Sequence, residues 1–166
     1  MSAHEVLLKQ GTQIVWKNSG GDKAISLASL ADGKGRCGEK ADLGAARAAE
    51  YAVTAEINLD AQPAAGKTIE IYWAASRDNT TFPGGATGSD AAYKDGEEDE
   101  WKKQLQLIGV LVVTADSDAV VQTRVFTFRP PLRYGCPVVL NKTGVALEGD
   151  EDSHQITLTP IVDEIQ

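Results

Sequence analysis

The sequence predicts an all-β domain, an antiparallel sandwich of about eight strands with little or no helix. Three observations carry this reading. Residues 51–59 and 69–73 alternate apolar and polar side chains, and turn signals rich in Gly, Pro, Asn and Asp recur at the spacing of a sandwich or barrel. No helical patterns alternate with the strands, as a parallel sheet would require. At 166 residues the chain is sized for one domain spanning 1–166, long enough to close a core without metals or disulfide staples.

Taken in order, residues 1–10 are a mostly polar lead ending in Val6, Leu7 and Leu8, either an arm that pairs with another chain or a first edge strand. Residues 12–16 (TQIVW) are β-branched and aromatic, stop at Asn18-Ser19-Gly20-Gly21, and read as a strand and turn. A second strand is assigned to 24–30 (AISLASL), followed by a Gly-punctuated loop, GKGRCGEKADLG. Residues 45–50 (AARAAE) favour helix but are too few to nucleate one, so at most a single turn is expected.

In 51–59, Tyr51, Val53, Ala55, Ile57 and Leu59 point one way, and Ile69, Ile71 and Trp73 repeat the pattern in the next strand. The link 60–67 is too long for a two-residue turn, leaving a long hairpin loop or a crossing between sheets. Residues 76–103 show no strand pattern and end in the acidic run DGEEDE, which makes them a long loop and a candidate partner contact. Residues 105–114 (LQLIGVLVVT) are apolar on both faces, so both must be covered, by this chain or by another subunit. Gly109 in their middle predicts a bulge or a close backbone approach. After a turn at 115–118 come a strand at 120–128, an irregular 132–137, a short strand at 137–140 with a possible continuation at 145–147, and a last strand at 155–162. Pro160 within the last predicts an edge or a bulge.

Composition narrows the function classes. The formal charge of −8 with scattered Lys and Arg argues against nucleic acid. No apolar run approaches the ~18 residues of a membrane span, and MSAHEVLLKQ lacks a basic segment followed by an apolar stretch, so a cytoplasmic chain is expected. Cys37 and Cys136 read as two unpaired loop thiols, a bridge between them being left open.

No constellation assembles a catalytic site. AGKT at 65–68 resembles the end of a phosphate-binding loop, but Ala61 stands where its first glycine belongs and a strand follows instead of a helix. DGEEDE and EGDEDS miss the spacing of a calcium loop and read as solvated surface. His4 and His154 are the only histidines, and there is no G-x-S-x-G. Neither an enzymatic role nor a cofactor is expected. Aromatic rings could stack on sugars; Trp73 reads as core, while Tyr72 and Trp101 are the better candidates for an exposed contact.

The phrases DLGAARAAEYAVTAEINL, AAGKTIEIYWAAS, FPGGATGSDAAY, QLIGVLVVTAD and PPLRYGCPVVLNKTG resemble small structural proteins encoded with the virion genes of tailed bacteriophages, from about Leu30 onward. The resemblance implies a jelly-roll-like sandwich, commonly a homotrimer, that decorates and cements the capsid by binding the major capsid protein on its surface. It rests on strand-and-turn phrases and carries no enzymatic residues. An interface is accordingly expected from Leu105, Leu107, Ile108, Val110, Leu111 and Val112 with Arg133 and Tyr134, and a partner contact from Phe82, Tyr93 and Trp101 on a loop that reaches outward. The alternative is a tail or fibre module that binds a host surface glycan.

Overall fold

The computed structural model describes residues 6–115 and 121–165, with the backbone alone at 6, 7, 164 and 165. Residues 1–5 of the expected arm, most of the 115–118 turn and residue 120 therefore lie outside the described residues. In chain order the strands are β1 (Val6–Gln10), β2 (Ile14–Lys17), β3 (Lys23–Ala24), β4 (Gly35–Cys37), β5 (Ala41–Asp42), β6 (Glu50–Ile57), β7 (Thr68–Ser76), β8 (Ala91–Ala92), β9 (Gln106–Val112), β10 (Gln122–Phe128), β11 (Tyr134–Lys142) and β12 (Gln155–Ile165). A single turn of helix, α1 (Glu98–Trp101), sits between two short 3-10 segments, Pro83–Gly85 and Lys102–Gln104.

The strands form two sheets, ordered β10-β6-β12-β2-β3 and β8-β4-β11-β7-β9. β12 inserts between β2 and β6, and β11 inserts between β4 and β7, so late strands nest inside early ones. The all-β sandwich expected from the sequence is the fold, with twelve strands among the described residues, several of them short, where about eight were expected. β6 buries every second residue, Tyr51, Val53, Ala55 and Ile57, against Ile69, Ile71 and Trp73 of β7. Trp73 stands at the centre, edge-on to Trp16 with ring centroids 6.0 Å apart and 5.5 Å from Phe128. Gly135 passes over the Trp73 indole, where a Cβ would come within 2.3 Å of the ring.

Several local readings change. Residues 60–67 cross from one sheet to the other, settling the choice between crossing and hairpin. The 24–30 strand shrinks to β3: Ile25 and Leu27 are buried, but on irregular backbone. The expected GKGRCGEKADLG loop contains β4 and β5, and the irregular 132–137 supplies the first residues of β11. No helical turn forms at 45–50. The lead pairs with its own chain, Val6–Gln10 running antiparallel to Ile161–Ile165, so β1 is an edge strand here and continues past the end of β6 as a two-stranded ribbon. Pro160 lies at a bulge: the β12 register shifts by one residue between β2 and β1, and its carbonyl accepts from the Gly11 N–H at 2.9 Å.

The loop before β12 is held by a buried histidine. The His154 ring accepts from the Asn58 N–H through Nδ1 at 3.3 Å, and its Nε2 lies 2.9 Å from the Glu148 carbonyl, an arrangement that requires the neutral ring with the proton on Nε2. Burial lowers the His154 pKa from its ordinary value, outweighing the opposite pull of the Glu148 carbonyl and of the Glu148 and Asp150 charges. The unfolded chain therefore binds this proton more readily, so stability is complete above about pH 6.5 and declines as pH falls below it. A lower urea midpoint at pH 5 than at pH 7.5, with the His154 ring titrating below the usual histidine range by NMR, is the expected result.

Candidate assembly surface

β9 is apolar on both faces, but only its inner face is fully covered. On the inner side, Ile108, Leu111 and Val113 enter the sandwich core. On the outer side, residues 77–105 fold back over the second sheet and form a third layer. Tyr93 and Ala86 from this layer pack on Cys37, Ala74, Cys136, Val138 and Leu140, with Phe82, Trp101 and Leu105 around them. β11 consequently has buried residues on both faces throughout its middle. The segment expected to reach outward is thus a cover for its own sheet.

Hydrogen bonds and ion pairs pin this cover. Tyr93 donates its hydroxyl to the Gly84 carbonyl at 2.7 Å and its N–H to the Gly35 carbonyl at 2.9 Å. The Arg36 guanidinium donates to Asp90 at 2.6 Å, and Asp90 also accepts from the Ser26 hydroxyl at 2.5 Å. The acidic run is partly consumed here: Asp95 pairs with Lys34, and Asp99 with Lys102 and Lys142. A cleft of about 350 Å³ lies beside this network, bordered by Ser29, Lys34, Arg36, Tyr93 and Glu98. Among the described residues, no three His, Cys, Asp or Glu side chains are placed to hold a metal.

What the cover leaves open is a strip along one side of the sandwich. Leu107, Val110 and Val112 lie opposite Tyr72, Glu70 and Thr68 in the β7 register and so share their outward face. Leu107 is 49% exposed and Val112 50%. β9 is the last strand of the second sheet and β10 the last of the first, and the two edges lie side by side. On β10, Val125 is 63% exposed opposite Thr54 of β6, and Val121 just before the strand is 49% exposed.

Side chains seal the seam between the edges. Arg124 donates to the Val110 carbonyl at 3.0 Å, Gln106 to the Arg129 carbonyl at 3.3 Å, and the Thr114 N–H donates to Gln122 at 3.1 Å. Gly109 is needed where the seam is tightest, because a Cβ there would sit 2.1 Å from the Phe126 ring; the expected close approach and bulge are both present, the latter as a register shift between Ile71 and Tyr72. Four half-exposed apolar side chains thus wrap around a seam whose backbone is partly satisfied.

A polar cluster borders the strip. Lys102 and the Tyr72 hydroxyl both donate to the Glu70 carboxylate, at 2.6 and 2.9 Å. Burial, reinforced by Glu70, pushes the Tyr72 hydroxyl up to about 12.

The expected interface residues therefore divide. Leu107, Val110 and Val112 lie on the strip. Ile108 and Leu111 belong to the intrachain core, which is a correction, because the bulge turns them to this chain's own interior; Leu105 is the last residue of the cover and is partly buried within it. Arg133 is held by Asp42 through two 2.6 Å hydrogen bonds, and Tyr134 starts β11, on the far side of β7 from β9. Among the expected partner contacts, Tyr93 is corrected to core, while Phe82 and Trp101 are half-buried beside it. Trp101 is also engaged, donating its indole N–H to Glu97 at 3.0 Å under the Lys94 ammonium, which stands 4.2 Å from its ring. Val121 and Val125 were missed; the signal was the alternation of 121–128, in which Phe126 and Phe128 mark the inward face. Cys37 and Cys136 are buried on strands, contrary to the loop assignment. Compared with known proteins, the sequence matches no protein-family model and no curated protein.

Proposed function

We propose that this chain is a non-enzymatic structural protein of a tailed-phage particle, a head decoration protein that assembles as a homotrimer and cements the shell by binding the major capsid protein. The exposed strip of Leu107, Val112, Val121 and Val125 along the β9–β10 seam is the observation that carries this reading. A side of the sandwich that its own cover does not reach is economically buried by symmetry copies, since a closed ring leaves no strip uncovered. The all-β sandwich and the resemblance of its strand-and-turn phrases to virion proteins support the placement on a particle. The engaged Trp101 and half-buried Tyr72 offer no free pair of rings to a sugar, which weighs against the glycan-binding alternative.

Mass spectrometry of purified particles tests the role. Stoichiometric peptides from this chain, together with heads that lose DNA at lower temperature when the chain is omitted, are the expected result. Particles that lack the chain, or tails that hold all of it, would overturn the assignment.

A further inference from the structure

Two reactive side chains lie together beneath the cover and take no part in the assembly surface. Cys37, at the end of β4, and Cys136, in β11, are both fully buried with their sulfurs 3.6 Å apart. We propose that they are a disulfide-forming pair, a redox modification site that staples β4 to β11 under the third layer of the sandwich.

The backbone brings them together for a local reason. Cys37 lies opposite Val138 and the Gly38 N–H donates to the Pro137 carbonyl at 2.8 Å, so Cys136 is the diagonal neighbour of Cys37. Between β4 and β5 the register on β11 then shifts by one residue, which places a bulge beside Cys136. Bulges tighten the local twist, and twist shortens one diagonal. The sulfurs need to close by about 1.5 Å to reach a bond of about 2.05 Å, a movement within reach of side-chain rotation and a small strand shift.

The two sulfurs share one contact in which either can donate. The sulfur that accepts has its ionisation favoured by that contact and opposed by burial, while the donor stays protonated, so one thiol of the pair attacks as thiolate and the other resolves. With hydrogen peroxide as oxidant, the thiolate sulfur attacks one oxygen, the O–O bond breaks, and that cysteine becomes a sulfenic acid with release of hydroxide, which takes up a proton to give water. The second sulfur then attacks the sulfenic sulfur, loses its proton, and displaces a second water. Two thiols are oxidised to one cystine and one peroxide is reduced to two waters.

The staple joins positions 99 residues apart, so it removes much of the freedom of the unfolded chain. For a domain of this size the melting temperature is expected to rise by roughly 5–15 °C on oxidation and to return on reduction. The test has two arms: the folded protein treated with hydrogen peroxide, and the protein refolded from urea in a glutathione redox buffer, which exposes both thiols while the bridge forms. Expected are a chain lighter by two hydrogens, no alkylation by iodoacetamide after denaturation, a peptide pair linking Cys37 to Cys136, and the raised melting temperature. Cys37→Ala and Cys136→Ala should each abolish the shift. Two fully alkylatable thiols after the refolding arm, or glutathione adducts and intermolecular dimers in place of the internal link, would overturn the proposal.

Discussion

Replacing Leu107 and Val125 together by aspartate is expected to convert the proposed trimer to monomer without unfolding it. Both side chains are about half or more exposed in the single chain, so neither change opens a cavity or strands a buried charge within the subunit. In an assembly that covers the strip, each aspartate would be dehydrated against apolar neighbours, which costs about 1–3 kcal/mol for an unpaired polar group and more for a charge. Two such positions, one on each sheet edge, predict a loss in association affinity of roughly 100-fold or more. Leu8→Asp is the control: Leu8 is 77% exposed on the β1 ribbon, away from the seam, and its replacement should leave the assembly intact. Sedimentation at several concentrations, with far-UV circular dichroism for the fold, reads both outcomes.

The second large effect is on stability. Asn141 is fully buried and every polar atom of its side chain is used: Nδ2 donates to the Leu30 and Val145 carbonyls, each at 2.8 Å, and Oδ1 accepts from the Thr143 N–H at 3.0 Å with the Thr143 hydroxyl 2.7 Å away. The residue therefore ties the turn after β11 to the loop that carries Leu27 and Leu30. Asn141→Asp keeps the shape but sets a carboxylate oxygen against two carbonyls with no cation beside it. A cost of about 3–5 kcal/mol is expected, the range for an uncompensated buried charge. For this chain length that is a fall of about 10 °C or more in melting temperature. The variant carboxyl has its folded-state pKa raised, so the charge part of the deficit should shrink as pH falls from that raised value towards about 4, the unfolded-state value, and level off below it, where both states hold the proton. A deficit independent of pH would mean that shape, not charge, governs the site.

Where one face of a strand is wet and the other dry, the sequence was readable. β6 alternates strictly and β7 does so up to Trp73, and the buried Trp73 and the inward set follow from that period. The short strands were not: Gly35 to Cys37 and Ala91 to Ala92 contain small residues whose pairing depends on the cover above them, and no local signal marks them as strand. The same cover explains the partial reading of β9. Apolar faces on both sides call for two coverings; the core supplies one, and residues 77–105, which lack periodicity and so give no sign of their role, cover β4, β7 and β11 and leave Leu107 and Val112 half-exposed. The bulge beside Gly109 turns Leu107 outward and Ile108 into the core. Val125 escaped because an exposed valine between Arg124 and Phe126 looks like any strand residue until its edge position is known. Cys37 and Cys136 are separated by 99 residues and are brought together by the pairing of β4 with β11, which no spacing rule encodes.

The measurement that bears most directly on the central claim is the native mass of the purified protein by light scattering at micromolar concentration. A closed assembly, three times the mass of one chain, is the predicted result, dissociating when Leu107 and Val125 are charged. A stable monomer across that range would contradict the account, because the strip along β9 and β10 would then be an ordinary solvent-exposed edge.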